Sequence, residues 1–329
     1  MLLQKSTPTV AILLSTYNGQ RFVAEQLDSL LTQDYPSIQI RIRDDGSTDG
    51  TLDVLGSYAQ RDARIKVEAG INLGCVGSFL NLLRSADSDI LMFCDQDDVW
   101  LPTKVSSAVS ALAAAGLHLP VLFHTDLVVV DEHLETLATS FMDQQGIRMP
   151  RAHALEVLAI QNCVVGCTVA MTAEFARSAK LSDAVVGGAA MHDWWLAIFA
   201  SCRGRLLYSP RPEILYRQHG ENVSGAKRRS LLQKICLQFR SAGLVRINDY
   251  RLKVSRQASE FLSHYGAELT PRQFDALAKV TELDPALGLW PVIRNLYWGI
   301  RFQNAYMNLA VVYSAAITKI LILLNFRSR

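Results

Sequence analysis

Apolar runs that end in polar clusters recur through the first hundred positions. Val10–Ser15 (VAILLS) reads as a buried strand that empties into Ser15-Thr16-Tyr17-Asn18. Over Gln20–Gln33, Phe22, Val23, Leu27, Leu30 and Leu31 fall on one helical stripe. Gln39–Arg43 alternates, so it reads as a strand leading into Asp44-Asp45-Gly46, and Ser47, Thr48 and Asp49 offer caps for a helix over Leu52–Tyr58. Ile65–Glu68 is a brief strand, Val76–Arg84 a helix and Asp89–Cys94 a buried strand. Pro102 then opens a helix over Thr103–Ala115, at a position proline favours.

Strand–helix alternation with short links predicts an α/β fold: a doubly wound, mostly parallel sheet covered by helices. Such sheets bind ligands beyond the carboxyl ends of their strands. The clusters Ser15–Asn18, Asp44–Ser47 and Asp95–Asp98 stand at three such ends, so the topology brings them to one rim. After residue 120 the pattern weakens. Val121–Phe123, Leu127–Val130 and Val164–Met171 resemble strands, and Ala189–Ala200 a helix with His192-Asp193 near its start. Arg205–Tyr208 and Glu213–Arg217 suggest a strand pair around a proline-containing turn. From Ser230 the chain reads helical, over Leu231–Arg240, Ile247–His264 and Pro271–Glu282, before an almost wholly apolar tail, Asn304–Phe326. The organisation expected is an α/β domain over 1–229 and a helical extension over 230–329.

Composition adds a charge asymmetry. Of 329 residues half are apolar and only 19% charged, which suits a partly membrane-facing surface. Residues 1–200 carry 13 Lys/Arg against 23 Asp/Glu, whereas 201–329 carry 20 against 8. The acidic part suits a cation; the basic part suits a phosphate, a lipid surface or the other half. Cys75, Cys94, Cys163, Cys167, Cys202 and Cys236 lack the paired spacing of a zinc site and read as reduced core residues of a cytosolic protein. The opening MLLQKSTPTV has no apolar stretch long enough for a signal peptide.

The densest candidate chemistry is FCDQDDVW, where a buried strand runs into Asp95, Asp97 and Asp98. Three acids so close repel unless a metal ion or a basic side chain sits among them. Asp95 and Asp97, two apart on a turn, can aim both carboxylates to one side and hold Mg²⁺ or Mn²⁺ together with a substrate diphosphate. Asp44 and Asp45 stand where a carboxylate can accept from a base or a ribose hydroxyl. Neither G-x-G-x-x-G nor G-x-x-x-x-G-K is present. Asp193, next to Trp194 and Trp195, suits a general base, with the tryptophans as a platform for a sugar ring. His219 offers a third metal ligand beside Asp97, and Arg217 a phosphate contact. The basic run Lys227-Arg228-Arg229 suits a loop that closes over a diphosphate.

The ordered set LLSTYNG, IRDDGSTDGT, NLGCVGSFLNLL, FCDQDDVWLPTK, MHDWW and LYRQHGENVSG resembles the family 2 glycosyltransferases of GT-A fold. It resembles most the bacterial members that add rhamnose or related sugars to O-antigen and capsule glycans. The resemblance covers roughly residues 8–225. It implies that Thr16, Tyr17, Asn18, Asp44 or Asp45, and Asp95 contact the nucleotide. It also implies that Asp95, Asp97 and His219 form the shell of Mg²⁺ or Mn²⁺, with Asp97 ahead of Asp95 as direct ligand. Asp193 matches the acceptor-activating acid, with Asp98, His192, Trp194 and Trp195 at the sugar or acceptor and Arg217 at the phosphates. The implied reaction is inverting transfer of one sugar from a dTDP- or UDP-linked donor to a glycan or lipid-linked acceptor. The family's E-D pair reads His192-Asp193 here, and the Q-x-x-R-W motif of processive synthases is absent, so one sugar per encounter is expected.

Residues 230–329 lie outside the strong resemblance. Asn304–Phe326 is about long enough to span a bilayer, but Lys319 deep within it is expensive there. Trp290, Tyr297 and Trp298, interleaved with Arg294 and Arg301, suit a helix lying on the cytoplasmic leaflet of the inner membrane. A true span, and burial against the transferase domain or in a homo-oligomer, are the other arrangements open to this tail. No nucleic-acid partner is expected. Competing functions are a sugar-nucleotide nucleotidyltransferase, for which STYNGQRF supplies only Arg21, and a non-catalytic membrane assembly subunit with a vestigial site.

Overall fold

The computed structural model describes residues 7–182, 187–220 and 241–327. Their contacts divide the chain into two compact units: Met1–Gln144 with Val164–Val186 and Met191–Ala226, and Gln145–Cys163 with Gly187–Ala190 and Lys227–Arg329. Nothing in the hydrophobic pattern signalled that 145–163 and 187–190 would group with the C-terminal helices. The 229/230 division, the Lys227–Arg229 loop, the Leu231–Arg240 helix, Cys236 and the first six residues lie outside the described residues.

The first unit alternates as its sequence requires: β1 (Val10–Thr16), α1 (Val23–Leu31), β2 (Ile38–Asp44), α2 (Thr51–Arg61), β3 (Ile65–Ala69), α3 (Gly74–Ser85), β4 (Ile90–Cys94), β5 (Val99–Trp100) and α4 (Lys104–Ala115). There follow β6 (Val121–Thr125), β7 (Val128–Val130), β8 (Thr136–Ala138), β9 (Ala170–Thr172), α5 (His192–Arg203), β10 (Arg205–Ser209) and β11 (Ile214–Arg217). Seven strands form one sheet in the order β10-β6-β9-β4-β1-β2-β3. All run parallel except β9, which is antiparallel to both β4 and β6. A strand covered on both faces needs apolar residues at every position, and this is why β1 and β4 read as unbroken runs. Val10 to Leu14 and Ile90 to Cys94 are all buried.

Register fixes the rim. Thr16 is opposite Asp44 and Leu14 opposite Cys94, so β1 and β2 end level and β4 ends two residues earlier at the same edge. A second sheet, β5-β11-β7-β8, places the end of β11 beside the turn that follows β4.

Three expectations are corrected. β10 and β11 do not pair with each other: β10 joins β6, while β11 lies between β5 and β7. Pro210 and Pro212, which lack the N–H a hairpin ladder needs, carry the chain from one sheet to the other. Of Val164–Met171 only Ala170 and Met171 are extended in a strand; Gly166–Thr168 is a 3₁₀ turn. The helix expected from Ala189 begins at His192, so His192 and Asp193 form its first turn, and it runs on to Arg203.

The second unit is helical: α6 (Ser241–Tyr265), α7 (Pro271–Thr281), α8 (Leu289–Tyr297) and α9 (Ala305–Arg327). Thr270 and Gln273 form a reciprocal capping box at the start of α7, with Pro271 in its first turn. Arg251 is buried in this unit and donates to Leu283 O at 3.1 Å and Asn248 Oδ1 at 3.1 Å; burial holds its pKa down at about 10. Among the described residues no helix is long and apolar enough to cross a membrane. Trp290, Tyr297 and Trp298 are 69%, 84% and 56% exposed.

Candidate active site

A cavity of about 1,060 Å³ opens at the carboxyl rim of the large sheet. Five aspartates line it: Asp45, Asp49, Asp95, Asp97 and Asp193. Among the described residues Arg21 is the one Arg or Lys that lines it. Arg21 is largely exposed and pairs with Glu132 at 2.8 Å.

The turns after β1 and β2 are tied to each other. Asp44 is buried and accepts from Thr16 Oγ1 at 2.8 Å and from the backbone N–H and hydroxyl of Ser47 at 2.8 and 2.6 Å. The Asn18 carboxamide oxygen accepts from Thr48 N at 2.8 Å. Gly46 sits at φ +84°, a conformation side chains disfavour, and this sharp turn lets Asp44 reach Ser47. Thr16 and Asp44, expected at the nucleotide, thus bind each other and do not line the cavity. Asp45 does line it, while pairing with Arg43 and accepting from Leu73 N at 2.9 Å and Gly74 N at 2.8 Å. Tyr17 lines it too and is 48% exposed. Gln96, which the sequence did not single out, clamps Tyr17 by accepting from its N–H at 2.8 Å and donating to its carbonyl at 3.1 Å.

The acids after β4 divide. Asp95 and Asp97 line the cavity. Burial, followed by the charges of Asp97 and Asp193, pushes the Asp95 carboxyl up to about 7. Asp98 does not line the cavity. It is buried, accepts from Arg217 N at 3.1 Å, and is pushed up by burial and then by Asp97 and Asp95. Ligand atoms of Asp95, Asp98 and Cys167 lie within 4.8 Å of one another. The set Asp95, Asp97 and His219 is not drawn together that closely, but two of its members meet: His219 Nε2 is 2.8 Å from Asp97 Oδ2. Adjacent ligands of an octahedral cation with bonds of about 2.1 Å are about 3 Å apart, so these two atoms are spaced as neighbouring ligands. A divalent cation fits the donor set on this spacing and on the mutual repulsion of Asp95, Asp97 and Asp193.

Arg217 departs from its expected role. Its side chain is 2% exposed and does not line the cavity. It pairs with Glu25, donates to Asp97 O at 2.8 Å and Glu132 O at 2.6 Å, and lies over the Phe22 ring. The guanidinium therefore braces the turn that carries Asp97. Trp194 and Trp195 are also corrected: both are buried in the core, so neither presents a face to a sugar. The exposed aromatic at the cavity is Tyr17, with Phe22, Phe79 and Tyr216 deeper in the wall.

Asp193 and His192 do line the cavity. Asp193 Oδ1 accepts from Trp194 N at 2.6 Å. The His192 ring stacks on Phe79 (4.3 Å between centroids) and meets Phe93 edge-on at 5.1 Å. Burial in that apolar slot pulls its pKa down to about 3, so it is neutral. A methyl group on Gly166 would stand 2.9 Å from His192 Nε2 and 3.7 Å from Asp193 Oδ2. Glycine thus keeps the space in front of both residues clear. Nothing in the apolar run around Gly166 signalled this. Cys75, assigned to the core, also lines the cavity; burial and then the charges of Asp95, Asp193 and Asp45 push its thiol up to about 12.

Comparison with known proteins accords with this geometry. Residues 11–151 match the family model "Glycosyl transferase family 2". The dTDP-rhamnosyl transferase RfbG of Shigella flexneri is 26% identical over 75% of this chain and 83% of its own. The putative glycosyltransferase EpsE of Bacillus subtilis is 33% identical over 32% of this chain and 39% of its own. Among solved structures, the mannosyltransferase PcManGT of Pyrobaculum calidifontis, in complex with GDP-Man and Mn²⁺, superimposes with a TM-score of 0.52 over 96% of this chain and 87% of its own, at 15% identity. S. aureus TarS 1-349 in complex with UDP does so with a TM-score of 0.50 over 96% and 92%, at 13% identity. At these identities the likeness is one of fold.

Proposed function

We propose that the chain, whose residues 11–151 match the model of glycosyl transferase family 2, is an inverting, metal-dependent, non-processive glycosyltransferase. It moves one sugar, rhamnose in the first instance, from a dTDP- or UDP-linked donor to a glycan or lipid-linked acceptor of a bacterial surface polysaccharide. The observation that carries this reading is the charge of the cavity. Five aspartates face a ligand that is itself an anionic diphosphate, while Arg21 at the cavity wall pairs with Glu132 and Arg217 is turned away into Glu25. Such a ligand needs a cation between itself and the protein.

Asp97 and His219 would hold Mg²⁺ or Mn²⁺, with Asp95 on the side of the nucleotide. When bound, the cation neutralises the diphosphate and so makes it a better leaving group. Tyr17, Asn18 and Asp45 bound the nucleoside end of the cavity, Tyr17 offering the exposed ring. Asp193 faces the same cavity from the first turn of α5 and takes the proton from the acceptor hydroxyl as that oxygen attacks the anomeric carbon. One in-line displacement inverts the anomeric centre. Neutral His192 stands beside Asp193 with its Nε2 buried and without a partner among the described residues, which suits a hydrogen bond to a sugar hydroxyl.

The exposed Trp290, Tyr297 and Trp298, with Arg301 exposed nearby, support docking of the second unit on the cytoplasmic leaflet, where a lipid-linked acceptor is found. The test combines dTDP-rhamnose or UDP-sugars with Mn²⁺ and lipid-linked acceptors. Release of nucleoside diphosphate with a product of opposite anomeric configuration supports the reading. Release of pyrophosphate from a sugar phosphate and a nucleoside triphosphate would replace it with the nucleotidyltransferase. Flotation with anionic vesicles, lost on replacing Trp290, Tyr297 and Trp298 by Ala, tests the docking separately.

A further inference from the structure

A second cavity, of about 640 Å³, lies in the first unit between α4, β6 and β10. Its volume is within the roughly 300–1,000 Å³ of small-molecule sites. Its strand residues include Thr125 and Ser209, the last residues of β6 and β10, and both strands run parallel to β4. The cavity therefore opens at the same carboxyl rim as the acidic one, at the other end of the strand order, where ligands of such sheets are found.

Its walls have two characters. The helix wall carries the hydroxyls of Thr103, Ser107 and Ser110; the sheet wall carries Phe123 and Leu207 side by side, with Thr125 and Ser209 next along the same face at the strand ends. Glu213, 1% exposed, is fixed by Thr103 Oγ1 at 2.9 Å, Ser107 Oγ at 2.8 Å and the Arg211 guanidinium at 3.1 Å. Arg211 and Glu213 cancel each other, so the cavity has no net charge with which to select a phosphate. Thr125 is 2% exposed, and its Oγ1 is buried with no hydrogen-bond partner among the described residues. A buried hydroxyl left unpaired is costly, and native proteins seldom tolerate one without a ligand or water to meet it.

We propose that this cavity is a second binding site whose ligand is a neutral saccharide. Hydroxyls on the helix wall, facing Phe123 and Leu207 on the sheet wall with Thr125 and Ser209 at its edge, match the polar rim and apolar face of a pyranose ring. Thr125 Oγ1 supplies the hydrogen bond that now lacks a partner, and the Arg211–Glu213 pair gives a fixed donor and acceptor side by side. As a subsite for a more distant sugar of the acceptor glycan, the proposal rests on the transferase reading above. As a saccharide site it does not.

The test is saturation-transfer NMR on the full chain with a panel of methyl pyranosides: rhamnose, glucose, galactose, mannose and N-acetylglucosamine. At least one should give signals that persist when the acidic cavity is filled with dTDP and Mn²⁺. Thr125→Val, which keeps the shape and removes the hydroxyl, should weaken that binding about fivefold, the worth of one hydrogen bond. Ser110→Trp, which obstructs the cavity from an exposed helix position, should abolish it. Binding of dTDP should be unchanged in both variants, whatever the enzyme's reaction proves to be. Absence of signal from every sugar, signals undiminished in Ser110→Trp, or competition by inorganic phosphate would each overturn the proposal.

Discussion

His219 Nε2 lies 2.8 Å from Asp97 Oδ2, joining the end of β11 to the turn after β4 across 122 positions of sequence. Both side chains are largely buried, so the contact is shielded from water and positions two potential ligands. His219→Ala is expected to raise the Mn²⁺ concentration for half-maximal activity by at least about tenfold, the usual scale for loss of one element of a metal site. Titrating activity against Mn²⁺ in both proteins measures this. An unchanged midpoint would remove His219 from the site.

Asp193 stands in the first turn of α5 at the wall of the acidic cavity. Asp193→Asn keeps its size and removes the base. Turnover should fall by about 10²–10⁴-fold, the range for positioned general bases, while nucleotide affinity stays within a factor of a few. Kinetics together with equilibrium nucleotide binding separate the two effects. A loss confined to binding would assign Asp193 to the nucleotide.

His192 gives a pH signature. Its folded pKa of about 3 lies below the ordinary value of 6.5, so the unfolded chain binds a proton that the folded chain refuses. This contribution to stability is complete above pH 6.5 and is lost progressively as pH falls from there toward 3. At pH 5 the loss from this residue is roughly 2 kcal/mol, at 1.36 kcal/mol per unit below 6.5. Urea unfolding at pH 7.5 and pH 5 should show that much extra loss in the parent relative to His192→Leu. Equal losses in the two would mean that the imidazole is solvated.

Arg217→Met should destabilise the protein by about 2–4 kcal/mol. It strips the part-buried Asp97 and Glu132 carbonyls of their donor, each worth about 1–3 kcal/mol, whereas Glu25 is half exposed and can be rehydrated. Because Asp97 sits on the braced turn, activity should fall together with stability. Thermal unfolding and kinetics on the same preparation test the link. A variant of full stability would contradict the bracing role.

The sequence was most legible where burial on two faces forces a simple pattern. The runs ending at Thr16 and Cys94 and the alternation ending at Asp44 marked three strands and their common rim, because a fully covered parallel strand leaves no room for polar residues. Asp97 and His219 could be paired from the ordered motifs, and they meet. Orientation was not legible. Thr16, Asp44 and Asp98 looked like ligand contacts, yet each turns inward to satisfy a neighbour. Arg217 and Trp195 carry side chains typical of binding sites but are buried, which only tertiary packing decides. Gly166 acts by having no side chain, and the absence of a group leaves no periodic trace. The β10–β11 connection misled because two strand-like segments joined through prolines resemble a hairpin, whereas the prolines carry the chain between sheets.

Calorimetric titration of the parent protein and Asp97→Ala with dTDP and UDP, each with Mn²⁺ and with EDTA, tests the central claim most directly. The parent should bind at least one nucleotide in Mn²⁺ at least about tenfold more tightly than in EDTA, and Asp97→Ala should lose that difference. Equal affinity with Mn²⁺ and with EDTA, or a metal effect intact in Asp97→Ala, would contradict a cation held between these aspartates and the diphosphate.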